Sequence, residues 1–310
     1  MDALHPGSEV KRLSRRAVTR IARLSAEESA QASVVDLAIQ ASLSPDLIRT
    51  VYDPVGVVQF LRGAWQPLRL TVVEVGTPKP AASNAHLLFD TLLQTFATGV
   101  PPFSGADGLR YAATFDSLLG RREPFDRPGY AMDAAQHALI SSSAGEKGRI
   151  LAALVRFMRS ERIVDIGTAY GMSALYLATE LAPGGKVVTL EMSQPQLTVS
   201  QAILAGESQV TRIAGASHEQ APGVQELLTS VDLVCHDGAH NREAYITDFQ
   251  AYAPMMTPGS VLFLDDIRWE DDRVEEKANT YEGWQTICRD PRVRRAVEID
   301  GGKFGLLQLS

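Results

Sequence analysis

Apolar positions along this chain follow two different rhythms. From about residue 131 onward, short runs of β-branched and aliphatic residues alternate with stretches whose apolar positions recur every three or four residues. The first pattern is that of strands and the second that of amphipathic helices. Runs at 162–166, 186–191, 209–213, 231–236 and 260–265 predict five strands. Helical patterns at 172–181, 195–204, 219–228, 242–256 and 281–289 follow them one by one, and another at 147–159 precedes the first. Two further β-rich runs, 296–299 and 304–309, flank Asp300-Gly301-Gly302 and predict a closing hairpin. Strands that are apolar throughout, rather than alternating, are covered on both faces. The expectation is therefore an α/β protein with a doubly wound, mostly parallel, seven-stranded sheet and an antiparallel C-terminal hairpin. Ligands of such sheets sit beyond the carboxyl ends of the strands, near the switch in strand order.

The first 130 residues are less regular. Val10, Leu13, Val18, Ile21 and Leu24 stand near helical spacing in a basic stretch, and a second helical pattern runs over 26–42. Residues 68–75 are β-rich, and 84–98 read as a helix with Leu87, Leu88, Leu92, Leu93 and Phe96. Pro101, Pro102, Gly105 and Gly108 mark one loop, and residues 124–129 mark another. The reading is a mainly helical N-terminal region, 1–130, ahead of a domain at 131–310. Added segments of this kind commonly set selectivity, so the region is expected to be a lid, an acceptor-selecting element or a homodimer contact.

Composition narrows the class. A chain of 310 residues with 45% hydrophobic and 22% charged positions has room for one large domain plus an extension. No apolar run reaches the roughly 18–20 residues of a membrane span. The basic N-terminus carries no apolar segment of the secretory type, so a cytoplasmic location is expected. Cys235 and Cys288 fall in predicted core elements, which argues against a disulfide framework or a cysteine metal site. The net charge is -7, and no dense basic stripe lies beyond the first 25 residues. Neither a nucleic-acid partner nor a membrane is expected.

The first strand runs into Asp165-Ile166-Gly167-Thr168-Ala169-Tyr170-Gly171-Met172-Ser173. Gly167 permits a tight turn, and Gly171 lets the next helix start close to the sheet. A pyrophosphate fingerprint would need glycine at 167, 169 and 172, but Ala169 and Met172 stand there. Glu191 closes the second strand, 24 residues after Gly167, where an acid accepts hydrogen bonds from a ribose diol. The pair points to a nucleoside-type ligand without a bound pyrophosphate. A similar run, Val73-Glu74-Val75-Gly76-Thr77, is followed by Pro78 and lacks a second glycine, so it reads as strand and turn of the N-terminal region.

A second cluster is acidic. The fourth strand ends His236-Asp237-Gly238-Ala239-His240, and the fifth ends Asp265-Asp266. Carboxylates brought together repel unless a positive charge lies among them. A hard divalent cation such as Mg²⁺ takes oxygen ligands and meets that need. His236 and His240 have the spacing of a zinc pair, but that motif requires a helix, and on a strand end the rings diverge. His240 is instead a candidate proton acceptor for a hydroxyl near the metal, or a cap of the following helix. His236 reads as a core histidine.

These residues carry a resemblance. Asp165-Ile-Gly-Thr-x-x-Gly-x-Ser-Ala-Leu175 and Ser142-x-x-x-Glu146-Lys-Gly148-x-x-Leu151 resemble class I S-adenosylmethionine-dependent methyltransferases of the catechol and caffeoyl-CoA branch, over about residues 131–310. The resemblance implies a Rossmann-like domain. It implies that Asp165, Gly167, Thr168, Tyr170 and Gly171, with Ser173 and Asp237, surround S-adenosylmethionine. Glu191 would hold the ribose, and Met192 with Gly215-Ala216-Ser217 would border the adenine. Metal-dependent members carry acids where Asp237, Asp265 and Asp266 stand, which implies Mg²⁺. The catechol branch has Lys three residues after the first of these acids. His240 at that place is similar to the macrolide-sugar branch, whose histidine is the base. Tyr245-x-x-Asp248-Phe-x-x-Tyr252 reads as structural.

The expected activity is methyl transfer to a hydroxyl of a small molecule, a natural product, sugar or phenolic of secondary metabolism. His240 and Asp237 would be the catalytic pair. The alternatives are a metal-independent methyltransferase acting on a carboxylate or amine, and a non-catalytic cofactor-binding partner subunit. A nicotinamide oxidoreductase is disfavoured by the glycine pattern. Arg268, Trp269, Asp271 and Asp272 either line the acceptor pocket or are solvated. Trp284 and Ile287 read as packing.

Overall fold

Apolar runs that no surface position interrupts have to be sandwiched, and the sheet is built around them. The computed structural model describes residues 68–80, 85–101, 146–268 and 279–310, with scattered positions between 103 and 138. The expected helices at 10–24 and 26–42 and the loop at 124–129 lie outside the described residues. In chain order the strands are β1 (Val72–Glu74), β2 (Arg162–Ile166), β3 (Lys186–Glu191), β4 (Val210–Ala214), β5 (Val231–His236), β6 (Met256–Asp265), β7 (Val293–Ile299) and β8 (Phe304–Leu309). The helices are α1 (Ala85–Thr98), α2 (Glu146–Met158), α3 (Met172–Thr179), α4 (Gln194–Ile203), α5 (Ala221–Leu227), α6 (Arg242–Tyr252) and α7 (Thr280–Cys288).

The eight strands form one sheet in the order β1-β7-β8-β6-β5-β2-β3-β4. Strands β2 to β6 are parallel, and β8, β7 and β1 are added antiparallel at one side. The chain winds outward through β2, β3 and β4, then returns to lay β5 on the other side of β2. The switch in strand order therefore falls between β2 and β5. Register aligns Ile166 with both Leu190 and His236, and His236 with Leu264. Gly167, Glu191, Asp237 and Asp265, each next along its own chain segment, thus stand in a row at the carboxyl edge.

Strand alternation sorts the side chains. Val164, Val188, Val234 and Leu262 join Val224 of α5, Tyr245 and Phe249 of α6 and Trp284 of α7 in one buried cluster. The intervening residues face the other way, and α3 contacts β2 and β3. Helix α6 ends at Tyr252, short of the expected 256, because Pro254 has no N–H to continue it and a 3₁₀ turn follows over Ala253–Met255. The strand expected from 260 begins at Met256 instead.

Among the described residues the sheet has one strand more than the seven expected. The β-rich stretch assigned to the N-terminal region supplies it, as β1 pairs with β7. Arg295 on β7 binds Glu74 of β1 and Asp90 of α1, and Asp300 Oδ1 accepts from Thr71 N at 2.9 Å. Residues Arg69–Val100 accordingly cluster with Leu151–Ser310 as one unit. Met1–Leu68 and Pro101–Ile150 form a second unit. Among its described residues Arg149 is buried, donates from Nε to Pro101 O at 3.1 Å, and is lowered to about 10 by desolvation, against the pull of Glu146. Cys235 is buried and Cys288 half-buried, and neither forms a disulfide. Burial, helped by the Glu298 charge, pushes the Cys288 thiol up to about 12.

One contact between α7 and the hairpin leaves no slack. A Cβ added at Gly305 of β8 would lie 2.6 Å from Cζ3 of Trp284, whose ring is fully buried and whose Nε1 donates to Glu298 Oε1 at 3.2 Å. Gly305→Ala is expected to lower stability by about 1–3 kcal/mol through overpacking. A denaturant midpoint equal to that of the wild type would contradict this packing.

Candidate active site

The turn after β2 is possible only with glycine. Gly167 has φ +96, and a Cβ there would meet the Asp237 carbonyl oxygen at 2.2 Å. Its N–H and that of Thr168 both donate to Leu190 O, at 3.0 and 2.9 Å. Gly171, φ +90, closes the loop by donating to Thr168 O at 2.7 Å and stands at the start of α3. Ala169 adopts φ +43, a conformation that costs a non-glycine residue on the order of 1–3 kcal/mol and persists where its surroundings hold it. The holding contact is Glu191, whose Oε2 accepts from Ala169 N at 2.8 Å.

Beneath the loop lies a polar chain that the sequence reading did not foresee. Asp165 is fully buried, and its Oδ2 accepts from Ser173 Oγ at 2.9 Å and from Thr189 Oγ1 at 2.8 Å. Thr189 has one hydroxyl proton and gives it to Asp165, so Thr168 is the donor in the 2.6 Å contact between the two threonines. Asp165 and Ser173, predicted as cofactor contacts, therefore brace the loop from behind. The available signal was a lone threonine within the apolar run of β3, at the position registered opposite Asp165.

Glu191 faces the loop from the end of β3. Its Oε1 accepts from Ser193 N at 2.8 Å. Burial raises its pKa, against the backbone donors and with the Asp237 charge adding. Met192 beside it is 73% exposed. Gly215, Ala216 and Ser217 follow β4, tied to Glu191 O through Gly215 N at 2.9 Å. Tyr170 and Thr168 are buried in the loop itself.

The acids gather on the other side of the Gly167 turn. Asp237, His240 and Asp265 each offer a ligand atom within 4.8 Å of the others. His240 Nε2 lies 3.5 Å from Asp237 Oδ1 and 3.8 Å from Asp266 Oδ2. Asp266, with φ +50, thus approaches the imidazole, and the tightest group takes in the histidine. Burial alone would lower the His240 pKa, but contact with Asp237 and the charges of Asp237, Asp265 and Asp266 outweigh it and hold the pKa above its ordinary value. Tyr245 is raised far above its usual range, first by burial and then by the same three carboxylates, so its hydroxyl stays a neutral donor. The carboxylate oxygens of Asp237 and Asp265, with Asp266 beside them, make a strongly negative field that fits a hard divalent cation, and the His240 imidazole stands next to it.

His236 is a core residue, as expected from sequence: its Nε2 contacts Asp248 Oδ2 at 2.8 Å and its ring meets Tyr245 edge-on at 4.9 Å. Asn241, not His240, caps α6, through Oδ1 to Ala244 N at 2.9 Å. Arg268 stacks on the Tyr281 ring at 3.7 Å and donates from Nη2 to Glu298 Oε2 at 2.9 Å. Trp269, Asp271 and Asp272 lie outside the described residues.

A family model described as a methyltransferase domain matches residues 164–267, the stretch from β2 to the residue after Asp266. The transmembrane O-methyltransferase of Propithecus coquereli is 30% identical over 222 residues, covering 64% of this chain and 80% of that protein. The catechol O-methyltransferase B of Danio rerio is 29% identical over 129 residues, or 39% of this chain, and the chain spans about half of that protein, 48%. An O-methyltransferase from Bacillus cereus, solved in complex with SAH, shares the fold with a TM-score of 0.51 at 22% identity, over 64% of this chain and 91% of its own. The chain belongs to the S-adenosylmethionine-dependent O-methyltransferase family. Among the described residues no helix is long and apolar enough to cross a membrane.

Thr189→Val keeps shape and removes the hydroxyl that links Thr168 to Asp165. Leaving those buried groups short of a partner is expected to cost about 1–3 kcal/mol. An unchanged melting temperature would show that the chain of hydroxyls does not brace the loop.

Proposed function

We propose that the protein transfers a methyl group from S-adenosylmethionine to a hydroxyl of a small molecule, assisted by a divalent metal such as Mg²⁺. The observation that carries this reading is the convergence of Asp237, His240 and Asp265 within 4.8 Å, one residue beyond the turn that Gly167 makes against Asp237. S-adenosylmethionine would supply an electrophilic sulfonium methyl. A cation held by Asp237 and Asp265, with Asp266 beside them, would lower the acceptor hydroxyl's pKa and stabilise the developing oxyanion.

The chain's own groups do the rest. The amide-bound Glu191 takes the ribose hydroxyls on its remaining lone pairs. Met192, Ala216 and Ser217 border the base, and the strained turn over Gly167–Gly171 fixes the methionine part. His240 accepts the hydroxyl proton at Nε2, where Asp237 and Asp266 stabilise the imidazolium that results. The acceptor oxygen would take the methyl that S-adenosylmethionine supplies and pass its proton to His240, so charge would be conserved. Holding both reactants in line converts an encounter between two molecules into an intramolecular step.

Catechol, named for the Danio rerio relative, is the first acceptor to test, followed by sugars with vicinal hydroxyls. His240→Ala is expected to reduce kcat by about 100-fold or more, with SAH binding retained. Exhaustive chelation is expected to abolish turnover, and Mg²⁺ to restore it. Full turnover after chelation sinks the metal, and an unchanged kcat in His240→Ala sinks the base.

A further inference from the structure

Three buried polar side chains of α6 lie on one helix face, at positions i, i+3 and i+7, and they reach opposite ends of the site. Tyr245 donates its hydroxyl to the Asp265 carbonyl. Asp248 accepts from Ser217 Oγ at 2.5 Å and contacts His236 Nε2 at 2.8 Å. Tyr252 donates to Ser217 O at 2.7 Å. The helix cannot shift easily. Gly283 of α7 is pressed against it, with a Cβ there only 3.1 Å from Arg242 Cα and 3.3 Å from Tyr245 Cβ.

We propose that this face of α6 is a positioning strut with two arms: Tyr245 sets the acidic cluster, and Asp248 with Tyr252 sets the Ser217 loop. The first arm works through one peptide. The Asp265 carbonyl belongs to the peptide that leads into Asp266, whose φ of +50 is unfavourable for aspartate. Rotation of that peptide relaxes Asp266 and swings the two carboxylates apart, and the Tyr245 hydroxyl opposes the rotation. The second arm holds the Ser217 segment by both its side chain and its carbonyl, so the loop bordering the adenine is set before ligand arrives. A contact arranged in advance binds more tightly because less order is lost on binding.

The inference rests on the site reading above, and binding measurements separate the two. Tyr245→Phe and Tyr252→Phe each delete one buried hydroxyl and nothing else. Mn²⁺ binding by electron paramagnetic resonance and SAH binding by calorimetry are measured on the full chain. Tyr245→Phe is expected to weaken Mn²⁺ about tenfold, with SAH affinity changed less than about twofold. Tyr252→Phe is expected to weaken SAH about fivefold, with Mn²⁺ changed less than about twofold. Asp248→Asn gives a second variant of the loop arm with the same expectation. Variants that lose both ligands equally, or neither, overturn the strut while the site reading stands. A variant that fails to fold makes its side chain a fold determinant and overturns its arm. A wild-type chain that binds SAH but not Mn²⁺ overturns the metal reading and the Tyr245 arm with it. One that binds neither overturns the site reading as a whole.

Discussion

Everything at the site depends on how closely the ends of β2 and β5 approach each other. At Gly167 even a methyl group would lie 2.2 Å from the Asp237 carbonyl oxygen. The two strands are neighbours because the chain reverses its winding between them, and only glycine lets their ends stay adjacent through the turn. That contact brings Asp237, from a segment 70 residues away, beside the loop that follows β2. A larger residue at 167 would push the turn after β2 away from the acidic end of β5.

Around this contact, buried polar groups form a frame. Asp165 takes two hydroxyls, Glu191 takes two backbone N–H groups, and Asp248 bridges His236 and Ser217. Unsatisfied buried polar groups are costly, so such a frame is rigid when complete. Glu191 also steadies the left-handed Ala169. Burial and the negative charge of the acids raise the Tyr245 pKa, which keeps its hydroxyl a donor, and the same charges outweigh burial to raise that of His240.

Much of the fold was legible along the chain. Strands at 162–166, 186–191, 231–236 and 304–309 were readable to the residue, because a strand covered on both faces must be apolar throughout. The glycine turn, Glu191 and the two acidic strand ends were legible for a similar reason. Each is a residue type that a continuous strand does not tolerate at its end without cause. The eighth strand was different. Val72–Glu74 is short and largely exposed, so its composition could not reveal that β7 was its partner.

What the sequence by itself determined is local: periodicity, breaks in it, and the chemistry available at each break. The tertiary structure decided which of those residues meet. It turned Asp165 and Ser173 inward to brace the loop with Thr189, and drew His240 into the tightest group with Asp237 and Asp265, with Asp266 beside it. It also aimed Tyr245, Asp248 and Tyr252 at separate parts of the edge. The physical reason is one of range. A strand or turn is dictated by neighbours a few residues away, whereas side-chain partners are set by register and packing between segments tens of residues apart.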